Sequence, residues 1–369
     1  MMRALAEERA FSELKRLCCS GLDGPELLGR VVERLQLAVP FDAYCASTAD
    51  PASGLVTRSL AGEMGGAEEA ALFFERLYFE YDLEQLRAMA RERRAVALLS
   101  ESTDGRPERS QRYRELLGPL GLAHEARTVF AAGGYLWGSM DLIRARGTPD
   151  FSAREAAFLR RLAPHLAVGL RSAALRARAP AGQPAAGVPG VLALDGRGSV
   201  VRHTPAAERL LRELEDLRPD WRGWEGLPPA VRMVVCALRR ALVSGGGDDA
   251  GCPCVRARGR SGRWLTLYAS LTEPAGGHPG ETVVVIETSK PEEVAWMSVA
   301  AYGLTPREEE IAGLVARGLS TRQISRTLFI SEHTVQNHLR GVFEKVGVHS
   351  RRELVKRLFF EGLYPSLFG

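Results

Sequence analysis

Between Leu304 and Phe360 the chain is punctuated at intervals too short for anything but small helices. Thr305 stands as an N-cap, with Pro306 at the first helical position and Glu308 three residues on, the pattern of a capping box. Ile311, Leu314 and Val315 repeat at i, i+3, i+4 and give that helix one apolar face. Gly318 follows as a residue that leaves a helix at little steric cost. A second helix starts at Thr321 and turns Ile324 and Leu328 inward. After Phe329-Ile330-Ser331, Ser331 caps a third helix, buried through Val335, Leu339, Val342 and Val346 and closed by Gly347. Ser350 caps a fourth, buried through Leu354, Val355 and Leu358.

Two short helices joined by a tight turn, the second polar on its outer side, form a helix-turn-helix, and the second helix has the size of a DNA major groove. Its outer side offers His333, Thr334, Gln336, Asn337 and Arg340. Amides pair with adenine edges and Arg with guanine, while hydroxyls reach phosphate. Arg322, Arg326, Lys345, Arg351 and Arg352 flank them as basic residues suited to phosphate. His338 reads as a packed histidine. The bland alternative is a helical bundle that binds protein.

The same residues resemble the LuxR-type helix-turn-helix. T-P-R-E at the start, G-L-S, I-S-x-x-L, S-x-x-T-V-x-x-H and K-x-G-V-x-S-R-x-E-L occur in order and without a gap from Leu304 to about Phe360. The resemblance implies a four-helix DNA-binding domain. Gln336, Asn337 and Arg340 would contact base edges, and Arg322, Ser331, His333, Thr334, Lys345 and Arg351 the phosphates. Two positions depart from the family pattern. Gln336 stands where Lys is frequent. Ser325 stands where Ala is usual, at a buried spot from which its hydroxyl is expected to bond back to its own helix.

Upstream the chain is long enough for further domains: 369 residues, 45% apolar and 25% charged, with a net charge of +4. Helices are expected over residues 4–20 and 25–37, strands over 41–48 and 55–60, and an aromatic-rich helix over 67–81. A helix and a short strand, Val96–Leu99, come next, then another helix around Tyr113–Leu117. His124–Ala132 and Tyr135–Arg144 read as a hairpin about Gly133-Gly134. A long helix to about Arg178 contains Pro164, which should kink it. The segments F-D-A-Y at 41–44, G-Y-L-W-G-S-M-D-L-I-R and F-S-x-x-E-x-x-F-L-x-x-L-A-P-H-L resemble a GAF-type sensory domain. That likeness implies a pocket between sheet and helices, with Tyr44, Phe73, Phe74, Tyr78, Tyr81 and Trp137 as lining candidates; otherwise these are core aromatics.

A Pro/Ala/Gly-rich linker follows. Strands at 191–194 and 200–202, helices after Thr204-Pro205 and over 229–242, and three strands at 254–258, 263–270 and 281–288 then resemble a PAS domain. Thr204 replaces the family's frequent Asn but keeps the helix cap. The expected organisation is multidomain α+β. Residues 1–178 form a GAF-like domain with a long final helix and 179–189 a linker. Residues 190–289 form a PAS-like domain and 290–303 a connector, helical in its later part. Residues 304–369 form the all-α four-helix helix-turn-helix.

Other chemistry is poorly supported. A phosphoacceptor domain needs clustered acids and a distal Lys, and the N-terminal half has scattered acids and Lys15 alone. No P-loop occurs. Cys252-Pro253-Cys254 with His278 has poor spacing for zinc, so no metal or other cofactor is expected. No catalytic constellation is evident, so an enzyme is not expected. Six cysteines without a signal-peptide pattern, and no apolar run of membrane length, point to the cytoplasm and away from the membrane. The expectation is a bacterial transcription regulator acting as a homodimer on promoter DNA. Its N-terminal domains would sense a small molecule or a partner, and RNA polymerase is a further partner. The rival is a regulator whose helix-turn-helix contacts another protein.

Overall fold

The computed structural model describes residues 2–62, 82–176, 187–215, 217, 219–243, 252–273, 280–290, 302 and 304–358. The aromatic-rich stretch expected as a helix over 67–81 and the connector over 291–301 lie outside these. The chain divides into two compact units. The first is Met1–Ala131 with Leu136–Thr288, and the second is Ala132–Tyr135 with Ser289–Gly369.

The first unit opens with α1 (Met2–Cys18) and α2 (Gly24–Leu35). Asp23 caps α2 by accepting the Glu26 N–H at 2.9 Å. Next come β1 (Ala43–Ala49), β2 (Val56–Gly62), α3 (Leu83–Arg91) and β3 (Val96–Leu98). The expected helix at Tyr113–Leu117 is a wider, π-type turn. β4 (Leu122–Ala132) and β5 (Tyr135–Ala145) flank Gly133 and Gly134, whose φ values of 64° and 84° suit glycine. α4 (Ala153–Arg176) runs through Pro164 without a break. The five strands order as β2-β1-β5-β4-β3.

A second sheet repeats this order. It is built from β6 (Gly190–Leu194), β7 (Val200–His203), β8 (Cys254–Arg258), β9 (Trp264–Leu271) and β10 (Thr282–Thr288), arranged β7-β6-β10-β9-β8. α5 (Pro205–Leu214) and α6 (Pro229–Val243) intervene. Thr204 caps α5 through the Ala207 N–H, and also accepts the Val191 N–H at 3.0 Å, so one hydroxyl joins helix and sheet. α6 is buried along most of its length and packs on β8 and β9 and also on β2 of the first sheet. One apolar core therefore runs from Ala43, Leu86 and Val129 through Val234 to Leu267 and Ile286. Asp50, fully buried at the β1–β2 turn, accepts the Arg256 N–H of β8 at 3.2 Å and joins the two sheets polar to polar.

One patch of this interior is ionic. Arg112 and Arg127 lie among Asp82, Glu125 and Asp141, all with side chains under a tenth exposed. Asp82 takes Arg112 Nη1 at 2.5 Å and Arg127 Nη1 at 2.8 Å, one on each oxygen. Arg112 Nε donates to Glu125 at 2.8 Å and Arg127 Nε to Asp141 at 3.0 Å. Burial pushes the Glu125 carboxyl above its ordinary range, against the two guanidiniums that pull it down.

The second unit contains α7 (Pro306–Ala316), α8 (Thr321–Leu328), α9 (Glu332–Val346) and α10 (Arg351–Leu358). Its core is Leu304, Ile311, Leu314, Val315, Ile324, Val335, Leu339, Val342, Val346, Val348 and Leu354. No helix among the described residues is long and apolar enough to cross a membrane.

Candidate nucleic-acid interface

Each helix of the second unit is held by local chemistry at its start. The Thr305/Glu308 capping box forms in full. α8 has a second box, with Ser320 as cap and Gln323 reaching back to the Ser320 N–H at 2.8 Å. The turn between α8 and α9 depends on Phe329, which adopts a left-handed conformation at φ 54° with its side chain 95% exposed. This reversal brings the Ile330 carbonyl over Ser325. The Ser325 hydroxyl donates to that carbonyl at 2.5 Å, forward across the turn rather than back along its own helix as the sequence suggested. The Ile330 N–H returns a bond to the Ser325 carbonyl at 3.1 Å. Ser325 thus clips the two helices at their junction.

Ser331 caps α9 by accepting the Thr334 N–H at 3.0 Å, and its hydroxyl meets the Thr334 hydroxyl at 2.8 Å. Val335, Leu339, Val342 and Val346 face the core. That leaves His333, Gln336, Asn337 and Arg340, at i, i+3, i+4 and i+7, exposed on one side. These four are brought together on one helix face. Arg322 and Arg326 are exposed on α8, and His338 is half-buried.

Two of the expected phosphate contacts already have partners inside the domain. Lys345 Nζ lies 2.5 Å from Glu308 Oε2, the same carboxylate that caps the Thr305 N–H at 2.7 Å. Burial alone would raise the Glu308 carboxyl, but the Lys345 ammonium and the Thr305 N–H outweigh it and hold the group below its ordinary range. The close approach of α9 to α7 runs over Gly341, where a Cβ would come within 2.7 Å of Glu308 Oε1. Arg351 donates Nη1 to the Thr321 hydroxyl at 3.0 Å and Nη2 to the Leu319 carbonyl, tying α10 to the start of α8. The pairing of Glu308 with Lys345 and the close approach at Gly341 have no signal in the local sequence pattern. The S-x-x-Q spacing of Ser320 and Gln323 would have revealed the second box.

The geometry is therefore a rigid, capped helix presenting amides, an imidazole and a guanidinium outward, with its neighbour's arginines to one side. The match to known proteins falls on this same segment. Residues 303–358 match the family model described as bacterial regulatory proteins, luxR family. The spore germination protein GerE of Bacillus subtilis is 41% identical over 59 residues, which is 80% of that protein and 16% of this chain. The chain belongs to the LuxR family of bacterial regulatory proteins. The monoamine regulon transcriptional regulator of Klebsiella aerogenes is 50% identical over 64 residues, 17% of this chain. The LuxR-type segment is what the relatives share: the chain spans 28% of the Klebsiella protein and 6% of HTH-type regulators from Mycobacterium bovis and Mycobacterium tuberculosis. Among solved structures, a GAF domain from a Coxiella burnetii phosphoenolpyruvate-protein phosphotransferase is 18% identical. The match covers 46% of this chain and 95% of that one at a TM-score of 0.31. A ligand and DNA complex of Vibrio cholerae VqmA is 17% identical, with 48% and 86% covered and a TM-score of 0.24. Both likenesses are loose.

Of the pocket residues expected in the first unit, Phe73, Phe74, Tyr78 and Tyr81 lie outside the described residues. Tyr44 is half-buried and meets Phe41 edge-on, ring centroids 5.7 Å apart. Trp137 is buried and lines a cavity that Tyr44 does not reach. Among the described residues no group of three or more His, Cys, Asp or Glu side chains converges as a metal site. Cys252 is exposed and donates to the Ala269 carbonyl, and His278 lies outside the described residues.

Proposed function

We propose that the LuxR-type unit binds promoter DNA in a sequence-specific way and that the chain regulates transcription as a homodimer. The observation that carries the reading is the exposed face of α9, with Gln336, Asn337 and Arg340 beside one another on a helix whose opposite face is fully committed to the core. In this reading those three read base edges. Arg322 and His333 contact phosphate from exposed positions. The Ser331 and Thr334 hydroxyls, bonded to each other, face phosphate at the helix start, where the helix dipole favours an anion. Lys345 and Arg351 serve first to hold the helices together. A single module of this size buries too little surface for tight specific binding, which motivates the dimer.

The division into a GAF-like part over 1–178, a linker, a PAS-like part over 190–289, a connector and the DNA-binding part from 304 belongs to this proposal. In it the first two parts sense a small molecule or a partner and set how two C-terminal units meet their half-sites, and RNA polymerase is engaged at the promoter. The reading is of a cytoplasmic regulator rather than an enzyme. Its test is the salt dependence of binding to promoter fragments by fluorescence anisotropy. Affinity should fall steeply and linearly in log–log form as counterions are released. A flat dependence would contradict it.

A second reading rests on Phe329, a large apolar side chain held outward in a rarely adopted backbone conformation. Such a residue suits a protein partner at the turn, as in a regulator that contacts another protein through its helix-turn-helix. Loss of a protein partner on Phe329→Ala, with DNA affinity unchanged, would favour it.

A further inference from the structure

In the first unit a cavity of about 90 Å³ lies where the two sheets meet. Its walls come from both. β1, β2, β5 and the end of α4 supply one side, and the β8–β9 turn supplies the other. A water needs roughly 10–15 Å³ of such space, so the cavity holds several waters or one small organic molecule.

The lining is unusual in its charge. Among the described residues Arg58, Arg258 and Arg260 line it together with the carboxylate of Asp23, whose Oδ1 already accepts the Glu26 N–H at the start of α2. Arg258 is the most constrained of the three. Its Nη1 makes a long 3.4 Å bond to the Ala173 carbonyl, and its buried Nε has no hydrogen-bond partner. Burial lowers its proton affinity, and Asp23 offsets this only in part. A guanidinium is costly to hold half-dry with an idle donor, and an anion placed against it removes that cost. Flat and apolar groups complete most of the lining, with Trp137, only 3% exposed, Trp264 and Leu170, and the Thr48 and Thr57 hydroxyls there are bonded to each other at 2.8 Å. Indole faces take planar groups, and a guanidinium beside them favours a planar anion.

From this juxtaposition of Arg58, Arg258 and Arg260 with Trp137 and Trp264 across the junction of the two sheets, we propose that the cavity is a binding site for a small aromatic carboxylate. The carboxylate lies on the arginines with Arg258 Nε–H donating to it, and the ring lies between the indoles and Leu170. Because the walls belong to both sheets, occupancy fastens β2 to the β8–β9 turn. The site deepens the sensing half of the proposed function and rests on that reading only for its regulatory consequence. Binding itself is a property of the first unit.

The experiment uses the full chain without DNA, so its outcome is independent of whether the LuxR-type unit binds a promoter. Benzoate is titrated by calorimetry, alongside benzamide as the neutral isostere and inorganic phosphate as the anion without a ring. Amide exchange is followed with and without benzoate. The expected result is saturable benzoate binding, with benzamide and phosphate each weaker by roughly tenfold or more. Added protection should be confined to the segments that line the cavity, among them Thr48–Ala49, Thr57–Arg58, Trp137, Leu170–Ala174 and Arg258–Trp264. Arg258→Gln should weaken benzoate by roughly tenfold and leave benzamide unchanged. Arg58→Gln provides a second variant should the first melt early. No saturable binding at millimolar benzoate, equal binding of benzamide or phosphate, or protection elsewhere would overturn the proposal.

Discussion

The buried ionic patch of the first sheet makes a large and specific prediction. Replacing Arg127 with Met keeps the length and apolar stem but removes the donors to Asp141 at 3.0 Å, Asp82 at 2.8 Å and Gln85 at 2.5 Å. Among the described ionic partners, Arg112 then faces Asp82, Glu125 and Asp141 alone. Their side chains are 3%, 6% and 8% exposed, so water reaches the lost donors' places only through the adjoining cavity that Asp82, Gln85 and Glu125 line. Stranding a buried charge in this way costs about 3–5 kcal/mol. Glu125, already pushed toward its protonated form, would take up a proton and recover part of this, which favours the lower end. The control is Arg154→Ala, which removes a 2.6 Å pair to Glu7 in which the arginine is 55% exposed; its loss should be about 0–1 kcal/mol. Urea unfolding followed by amide exchange of Ala126–Val129 reads the stability of this sheet locally. An Arg127→Met loss no larger than that of Arg154→Ala would refute the reasoning. Replacing all five ionic residues together by apolar ones of similar volume should cost far less than the single change, since no charge is then stranded.

Three further outcomes follow from particular contacts. The Glu125 carboxyl is raised in the folded state, so its contribution favours folding below the ordinary carboxylate range and is lost as pH climbs through the raised value; Glu125→Gln should therefore gain urea midpoint relative to the parent as pH rises above the ordinary carboxylate range, and a relative loss would contradict this. Lys345→Met should lower the stability of the LuxR-type unit by about 1 kcal/mol without changing the slope of DNA affinity against salt, because its ammonium is paired to Glu308; Arg322→Gln should do the reverse, reducing that slope by about 1. Phe329→Gly should stabilise the unit by about 1 kcal/mol, since the side chain is exposed and the backbone left-handed, as a thermal melt of the isolated transition would register.

What could be read in advance was local. Thr305, Pro306, Glu308, Ser331 and Gly347 act within four residues of themselves, and each sits where its cap was expected. The same holds for Thr204 and the glycine pair of the β4–β5 turn. What escaped depends on distant partners. The Lys345–Glu308 pair spans 37 residues and changes a surface lysine into part of the frame. Arg112, Arg127 and Asp82 are 30 to 45 residues apart in their pairings, and in sequence each looks like an ordinary solvated charge. Glu125 and Arg127 alternate along β4 as a wet strand face would, although the face is buried. Ser325, expected at a buried spot, is half-buried, and its acceptor depends on a left-handed Phe329, which no propensity favours. Trp137, expected in a pocket between sheet and helices, lines a different cavity where two sheets meet, and nothing in the sequence shows how those sheets dock.

The central claim is that the exposed face of α9 reads promoter sequence. It is tested most directly by mapping, across the genome of the source bacterium, the DNA bound by the tagged chain and by the same chain with Gln336, Asn337 and Arg340 changed to Ala. All three side chains are exposed, so the variant should remain folded. The account predicts a shared, roughly palindromic site for the parent that disappears in the variant. An enriched site that survives the triple change in a folded protein would contradict it.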